Sequence, residues 1–599
     1  MKIKLPAWLL LFAMLLICFA GCGGTAVSEP SASTEASAVD SGQASAAEEE
    51  AVSVEEPAQV EGPISAEEAP ETSTEEEAEA AEPEVEEPTG TDALFDYELP
   101  ITTDSPEYTF LLGFNPGVSS FIEGFEENQV MQEWMARTGI NMTFNSVHPS
   151  TAAEQFNLFL AAGDLPDVTD NGLNYYNGST TNAIEDGYFA DLNKYADACP
   201  NYMTTIGASP MIKKALTTDE GYIAAFYQLQ VDTVSGEGMM IRKDWLDEAG
   251  LGIPETYDEV YEVLKAFQSR GAISPMLLNN SGTWSNGAFG YGYDMNGYMT
   301  TDPMLSLPLY VVDGEVRFAM MEQEYVDYLT MISGWYAEGL IAQDIENISM
   351  FQMCTDRVIN GETGYFYSAS NMLSNYQDQA AEDGFELVAA PQPVRNQGDE
   401  IHFGGTSFEF EGRPAGAAVN SWAVNAAAEE IETLITCLDY LYSPEGTLLA
   451  NYGVEGISFE YVDGKPMYTS LITNNDQGMT MDNAVYIYSL QYGAFREDYN
   501  RHLDVASDEV RACADVWTVS PADNYSYPID FVFLTTEESD VYAALFSDIS
   551  TVIEENILKF ITGTNSMDDY PAFQQQLADM GIDQIVDIYQ AAYDRFMAR

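Results

Sequence analysis

The side chains most able to do chemistry in this chain are carboxylates, 98 Asp and Glu against 21 Lys and Arg and 3 His. Pairs of acids can run general acid and base work on glycosides, so a hydrolase is a reading to weigh. With carboxylates this abundant, however, almost any spacing occurs and none is informative. No Gly-x-Ser-x-Gly elbow, no His-Glu-x-x-His and no glycine loop ahead of Lys-Ser/Thr is present. His148, His402 and His502 are scattered without metal-ligand spacing, and so are Cys199, Cys354, Cys437 and Cys513. Sequence does not fix whether those four thiols pair. Core thiols are the favoured expectation over disulfides, because a domain this large does not need staples. Cys22, the second of the chain's six cysteines, is placed differently. It closes an apolar run, Leu9 to Ala20, that follows Lys2 and Lys4 and ends in Phe19, Ala20 and Gly21.

That arrangement resembles a bacterial lipobox. The apolar run is too short to span a bilayer with ordinary margins, small residues precede the cysteine, and its thiolate is a nucleophile suited to thioether formation. The resemblance implies a signal peptide over 1–21, cleavage before Cys22 and a lipid on its sulfur, hence a protein tethered to the extracellular face of the cell membrane. Residues 23–90 then change to Glu, Ala, Ser, Pro, Thr and Val with no aromatic residue and no Lys or Arg. Such a composition buries too little apolar surface to offset chain entropy. It reads as a disordered acidic stalk, within 22–95, reaching roughly 45 Å as a flexible chain. A cation-recruiting tail is the alternative.

A formal charge of −77 argues against nucleic acid, because phosphates must be met by Lys and Arg. The remaining body of about 500 residues exceeds what one core organises, so two lobes are expected. Its patterning alternates strand and helix. YTFLLGF (Tyr108 to Phe114) reads as a buried strand, Phe125 to Arg137 as a helix closing at Gly139, Ile140 to Val147 as a strand, Ala152 to Ala162 as a helix, and Asp167 and Val168 as the next strand. Thr256 with Glu259 and Thr535 with Glu538 have capping-box spacing ahead of apolar helical faces.

Seven segments in order resemble the large lipoprotein branch of extracellular solute-binding protein family 1, the receptors of ABC importers. They are FNLFLAAGDLPDV (Phe156 to Val168), EDGYFADLNKYAD (Glu185 to Asp197), IRKDWLDEAGLGIPETYDEVYEVLKAF (Ile241 to Phe267), WYAEGLIAQDI (Trp335 to Ile345), INGETGYFYSASN (Ile359 to Asn371), YSPEGTLLANYGVEG (Tyr442 to Gly456) and the stretch Lys559 to Phe596. The resemblance implies an α/β fold of the type II, two-lobed periplasmic-binding-protein kind with crossing hinge strands. Ligand is then enclosed between lobes by hinge closure. The first lobe is expected over 105–240 with part of 395–455 returning to it, and the second over 241–395 with 456–599 packing largely on it. Met239 to Arg242 looks like the crossing strand, and Trp245 is expected to pack rather than bind.

The same resemblance points to a monomer whose partners are a small solute and permease subunits, with no enzyme activity, cofactor or metal. Sugars offer apolar C–H faces rimmed by hydroxyls, so exposed aromatics, amides and carboxylates after strand ends are the candidates. Trp284, in a Gly- and Ser-rich loop, matches the family's second-lobe aromatic wall, with a loop tryptophan folded into the core as the alternative. Tyr367, Ser370 and Asn371 follow the strand GYFY. Asn115, Asp170 and Asn171 take matching first-lobe positions or serve as turn residues. Trp422 and Trp517 are further aromatic candidates, Trp422 equally a core residue in a half-buried strand. Relatives' Asp-rich loop after the helix ending at Phe267 is replaced by QSRGAISPM, so calcium is not carried over. Scarce bases favour a neutral sugar over a uronate, unless Arg395 and Arg413 act together. A peptide or other polar-solute receptor, a tethered glycan hydrolase and a sensor subunit are the competing classes.

Overall fold

The computed structural model describes residues 94–208, 210–230, 236–278, 285–297, 307–345, 352–370, 372–380, 382–403, 420–498, 500–518, 525, 529 and 532–599. Cys22, the acidic stretch that follows it, Trp284, Asn371 and Arg413 lie outside the described residues. So does the side chain of Cys354. Cys199, Cys437 and Cys513 are buried free thiols.

Apolar alternation in the first part of the body builds a five-stranded sheet. Its edge strand Asn141–Val147 pairs in parallel with Glu107–Gly113, which pairs in parallel with Val168–Asp170. The late strand Ser421–Val424 inserts antiparallel beside it, and Phe226–Tyr227 closes the far edge. The parallel strands need crossovers, and the helices Gln129–Thr138 and Ala152–Ala162 supply them, each ending on a left-handed glycine, Gly139 or Gly163. Phe110, Trp134, Phe144 and Trp422 interlock in the core beneath.

The chain leaves this sheet through Leu229–Gln230, which pairs with Arg496–Glu497, and enters a second sheet as Glu237–Arg242, the centre of three antiparallel strands with Tyr365–Ala369 and Leu387–Ala390. Around it lies the second core. The Thr256 and Glu259 capping box opens the helix Tyr257–Arg270, whose Val260, Val263, Leu264 and Phe267 are buried on one face. Thr535 and Glu538 form a second capping box at the start of the 26-residue helix Thr536–Ile561, and Ile582–Ala598 packs against it. Trp245 is buried edge-on against Phe267, as its place on an apolar helical face implies.

One boundary differs from the sequence reading. Phe459, Tyr468, Ile472, Ala484, Val485 and Phe495 belong to the first core, so the chain turns to the second lobe near residue 508 rather than at 456. Their aromatic and aliphatic pattern is compatible with either core, and only pairing of Arg496–Glu497 with Leu229–Gln230 decides it.

At the end of the crossing strand, Arg242 is fully buried. It bonds Asp244 at 2.6 Å and Glu382 at 2.5 Å, while its guanidinium lies 4.3 Å from both the Trp245 and Phe385 rings. Burying a charge is tolerable only with such partners. Arg242→Ala would strand two carboxylates and remove packing; because both acids keep partial access to water, a loss of about 3 kcal/mol is expected. Chemical denaturation checks it, and an unchanged midpoint would refute the assignment.

Candidate functional site

Three strand ends of the first sheet meet at one place. Glu107–Gly113 ends there at Gly113, Val168–Asp170 ends there at Asp170, and the antiparallel Ser421–Val424 begins there, with Trp422 opposite Asp170 and Ser421 opposite Tyr227. Since neighbouring strand residues face opposite sides of a sheet, Trp422 and Ser421 open onto different faces. Each face holds a recess.

On the Trp422 side the recess is about 30 Å³ and is lined by Gly113, Asp170, Trp422, Tyr486, Gln491 and Tyr492. That space admits one water-sized group, such as a hydroxyl. A loop after the helix Met481–Tyr488 forms its wall. Gly493 has φ +126°, and a Cβ there would lie 2.5 Å from Trp422 Cζ2, so only glycine lets the loop cross the indole. The crossing presents Gln491 beside the recess and leaves Tyr492 55% exposed while Leu490, Ala494 and Phe495 are buried. On the Ser421 side a larger recess of about 240 Å³ is lined by Asn174, Ser179, Tyr227 and Ser421, and by Phe533 and Ser539 from the segment entering the second-lobe helix Thr536–Ile561. This recess spans both lobes.

The polar chemistry of the site is dominated by acceptors. Burial pushes the Asp170 carboxyl up to about 7, while the Gly113 N–H and the Trp422 indole N–H, both donating to it, limit the rise. Asn171 Oδ1, Gln228 Oε1, Ser421 Oγ and Gln491 Oε1 are buried without a hydrogen-bond partner. The Gln228 amide cannot be turned round to cure this, because its Nε2 donates to Glu497 at 2.7 Å. Arg501, the nearby cation, is committed to Glu497 at 3.0 Å and to the carbonyls of Leu490 at 2.8 Å and Asn451 at 3.2 Å. The Tyr492 hydroxyl is held above its ordinary pKa by burial and by the carboxylates of Asp482, Glu237 and Glu497. Glu237 starts the crossing strand and accepts from the Tyr367 hydroxyl at 3.1 Å. Such a set suits a ligand rich in donors that also has an apolar face to lay on Tyr492.

Of the residues singled out from sequence, the structure brings Asp170, Asn171 and Trp422 together. Trp422 is 2% exposed, stacked on Trp134 with centroids 6.0 Å apart, so only its N–H reaches the site. Asn115 caps the turn after its strand by accepting from the Gly117 N–H, and its own N–H donates to the Tyr486 hydroxyl at 3.1 Å. Tyr367 and Ser370 are buried at the crossing, where the Ser370 N–H donates to Gly236 O at 2.7 Å. Trp517 is a packing residue: its ring covers Gly238, where no Cβ would fit, and its N–H donates to Met239 O at 3.1 Å. It was an aromatic candidate for the cleft, but the glycine opposite it makes a closer berth in the second core. Gln491, Tyr492, Ser421 and Gln228 were not anticipated. The one available signal was Tyr-Gly in SLQYGAF, an aromatic beside a residue able to take an unusual φ.

The chain matches the profile of the bacterial extracellular solute-binding protein family over residues 119–448, more than half its length. It therefore belongs to that family, and the two α/β lobes are those of a type II solute-binding protein. Among curated relatives it is 26% identical to lipoprotein LipO of Bacillus subtilis over 56% of this chain and 65% of LipO. It is 21% identical to the fructooligosaccharide ABC transporter substrate-binding protein FusA of Streptococcus pneumoniae over 79% of this chain and 88% of FusA. The chain thus spans just under two thirds of LipO. The crystal structure of alginate-binding protein AlgQ2 without calcium ion superposes with a TM-score of 0.65 at 23% identity, covering 82% of this chain and 99% of AlgQ2.

The raised carboxyl gives a stability test. Asp170 binds its proton more tightly when folded, so between its ordinary value near 4 and about 7 the folded state loses stability as pH rises, and the penalty is constant above that. Asp170→Asn keeps an acceptor for both N–H groups without the charge. It should melt higher than the parent at pH 8, with the gap closing toward pH 4; a gap independent of pH would show that burial does not strain the carboxylate.

Proposed function

We propose that this protein is the lipid-anchored, extracellular substrate-binding component of an ABC importer, and that it takes a neutral carbohydrate, an oligosaccharide, into the cleft between its lobes by hinge closure. The observation carrying the reading is the acceptor-lined floor: Asp170, Gln491 and Ser421 offer oxygens to ligand hydroxyls while Tyr492 offers a ring to the sugar's C–H face. Family membership supports the receptor role, and the fructooligosaccharide-binding role of FusA supports the carbohydrate class. A neutral sugar is favoured over a uronate because the buried guanidinium of Arg501, beside the loop of Leu490 and Gln491, is already bound to Glu497 and two carbonyls. Trp284 is proposed as the facing second-lobe wall. Membership of a solute-binding family supports binding without covalent chemistry.

Screening the full chain by thermal shift against neutral oligosaccharides, uronate oligosaccharides and short peptides tests the class. A neutral oligosaccharide should raise the midpoint; a rise with peptides alone would remove the carbohydrate assignment. Tyr492→Ala should then weaken the binding sugar about tenfold by losing the stacking face, with the melting temperature kept; unchanged affinity takes Tyr492 out of the site.

The tether is tested separately. A Cys22→Ala protein is expected to bind as before yet to be shed from the cell surface, measured by fractionation. Retention on the surface would contradict lipid attachment at that thiol.

A further inference from the structure

A further recess lies elsewhere, within the second lobe. It is a groove of about 380 Å³ between the helices Tyr257–Arg270 and Gln323–Ala337, closed at one end by Arg395 and Asn396, and it shares no lining residue with either recess of the first sheet. We infer that this groove is a second saccharide site, for an uncharged sugar unit, distinct from the inter-lobe cleft.

Its walls and its mouth carry the inference. Tyr261 is half-buried and leaves part of its ring open to the groove, backed by the buried Trp335 6.3 Å away and tilted at 34°, and a pyranose face can lie on that open part. Arg395 extends over Tyr293, 5.0 Å from the ring centroid. Its partner Asp327 is 3.7 Å away, and both side chains are close to half exposed, a pairing that contributes little and leaves most of the guanidinium donors free for a ligand. Asp258 stands exposed in the first helical turn across the groove. Asn396 spends its amide nitrogen on Asp399 at 2.9 Å, and its carbonyl oxygen is left over. An anionic ligand would meet Asp258, and a cationic one would meet Arg395. A hydroxyl-bearing neutral ligand satisfies both, accepting from Arg395 and donating to Asp258 and Asn396. The volume is that of a small-ligand pocket. Because a single lobe builds it, the groove keeps its shape whichever way the hinge stands, so it can hold a glycan chain before or after the cleft closes on another part of it.

This rests on the carbohydrate-receptor reading, and its test separates the two. Titrating the full chain calorimetrically with neutral malto- and fructo-oligosaccharides should give two binding events. Arg395→Ala and Tyr261→Ala should each weaken one event at least tenfold and leave the other, whereas Tyr492→Ala should do the reverse. One event in the parent protein, or two that ignore both Arg395→Ala and Tyr261→Ala, overturns the second site while leaving the cleft receptor standing. Equal binding of oligogalacturonates to the groove overturns the charge class. Absence of any sugar binding overturns the receptor reading along with it.

Discussion

A buried indole N–H must find an acceptor, and in the first lobe that requirement ties core to site. Trp422 fills the centre of the first core between Trp134 and Phe110, a position where its ring contributes burial and its nitrogen would be orphaned. Asp170, opposite it in register, supplies the acceptor. The bond has a consequence for the carboxylate: held among aromatic rings, it is desolvated enough to sit near its own titration point. It is also why the floor of the cleft is an acceptor rather than another apolar surface. Gly493 follows from the same constraint, because the loop bearing Gln491 and Tyr492 has to pass over the indole edge.

The second lobe is fixed by a different device. Arg242 sits where the crossing strand ends, sandwiched between aromatic rings and bonded to acids from two later segments, so strand, helix and the Glu382 region are joined at one cation. Between these two anchors the chain passes through short pairings, Leu229–Gln230 with Arg496–Glu497 and Glu237 with Ala369. Two firm cores linked by short strands are the physical basis for lobes that move as units. Tyr367, Ser370 and Glu237 stand at that link, which explains why residues picked for ligand contact are buried here: they hold the end of one second-lobe strand to the start of the other.

Local rules made much of the fold legible. The helix Ala152–Ala162 and both capping boxes follow from glycine, threonine and glutamate at set spacings, each satisfied within a few residues. The allocation of 459–495 to the first core was not legible, because apolar pattern tells that a segment is buried and not against which sheet. The site divided along the same line. Asp170 and Asn171 could be named because they end a strand in a family-like position. Gln491 and Tyr492 could not, since what brings them to Asp170 is a contact between a glycine and a tryptophan 71 residues apart in sequence. Trp517 went the other way: an aromatic candidate for the ligand, it is buried by a glycine far away in sequence.

The charge of the chain then acquires a more specific meaning than solubility. Acidity this pervasive works against an anionic ligand, and the two buried arginines, Arg242 and Arg501, are used as structural cations. On the proposed reading, a ligand reaching Asp170 is recognised by shape, stacking and hydroxyl donors. Those interactions are individually weak in water and gain strength where solvent is excluded. In the proposed receptor, selectivity would reside in closure, because only a ligand that lets the lobes come together while filling the orphaned acceptors compensates for the water they lose.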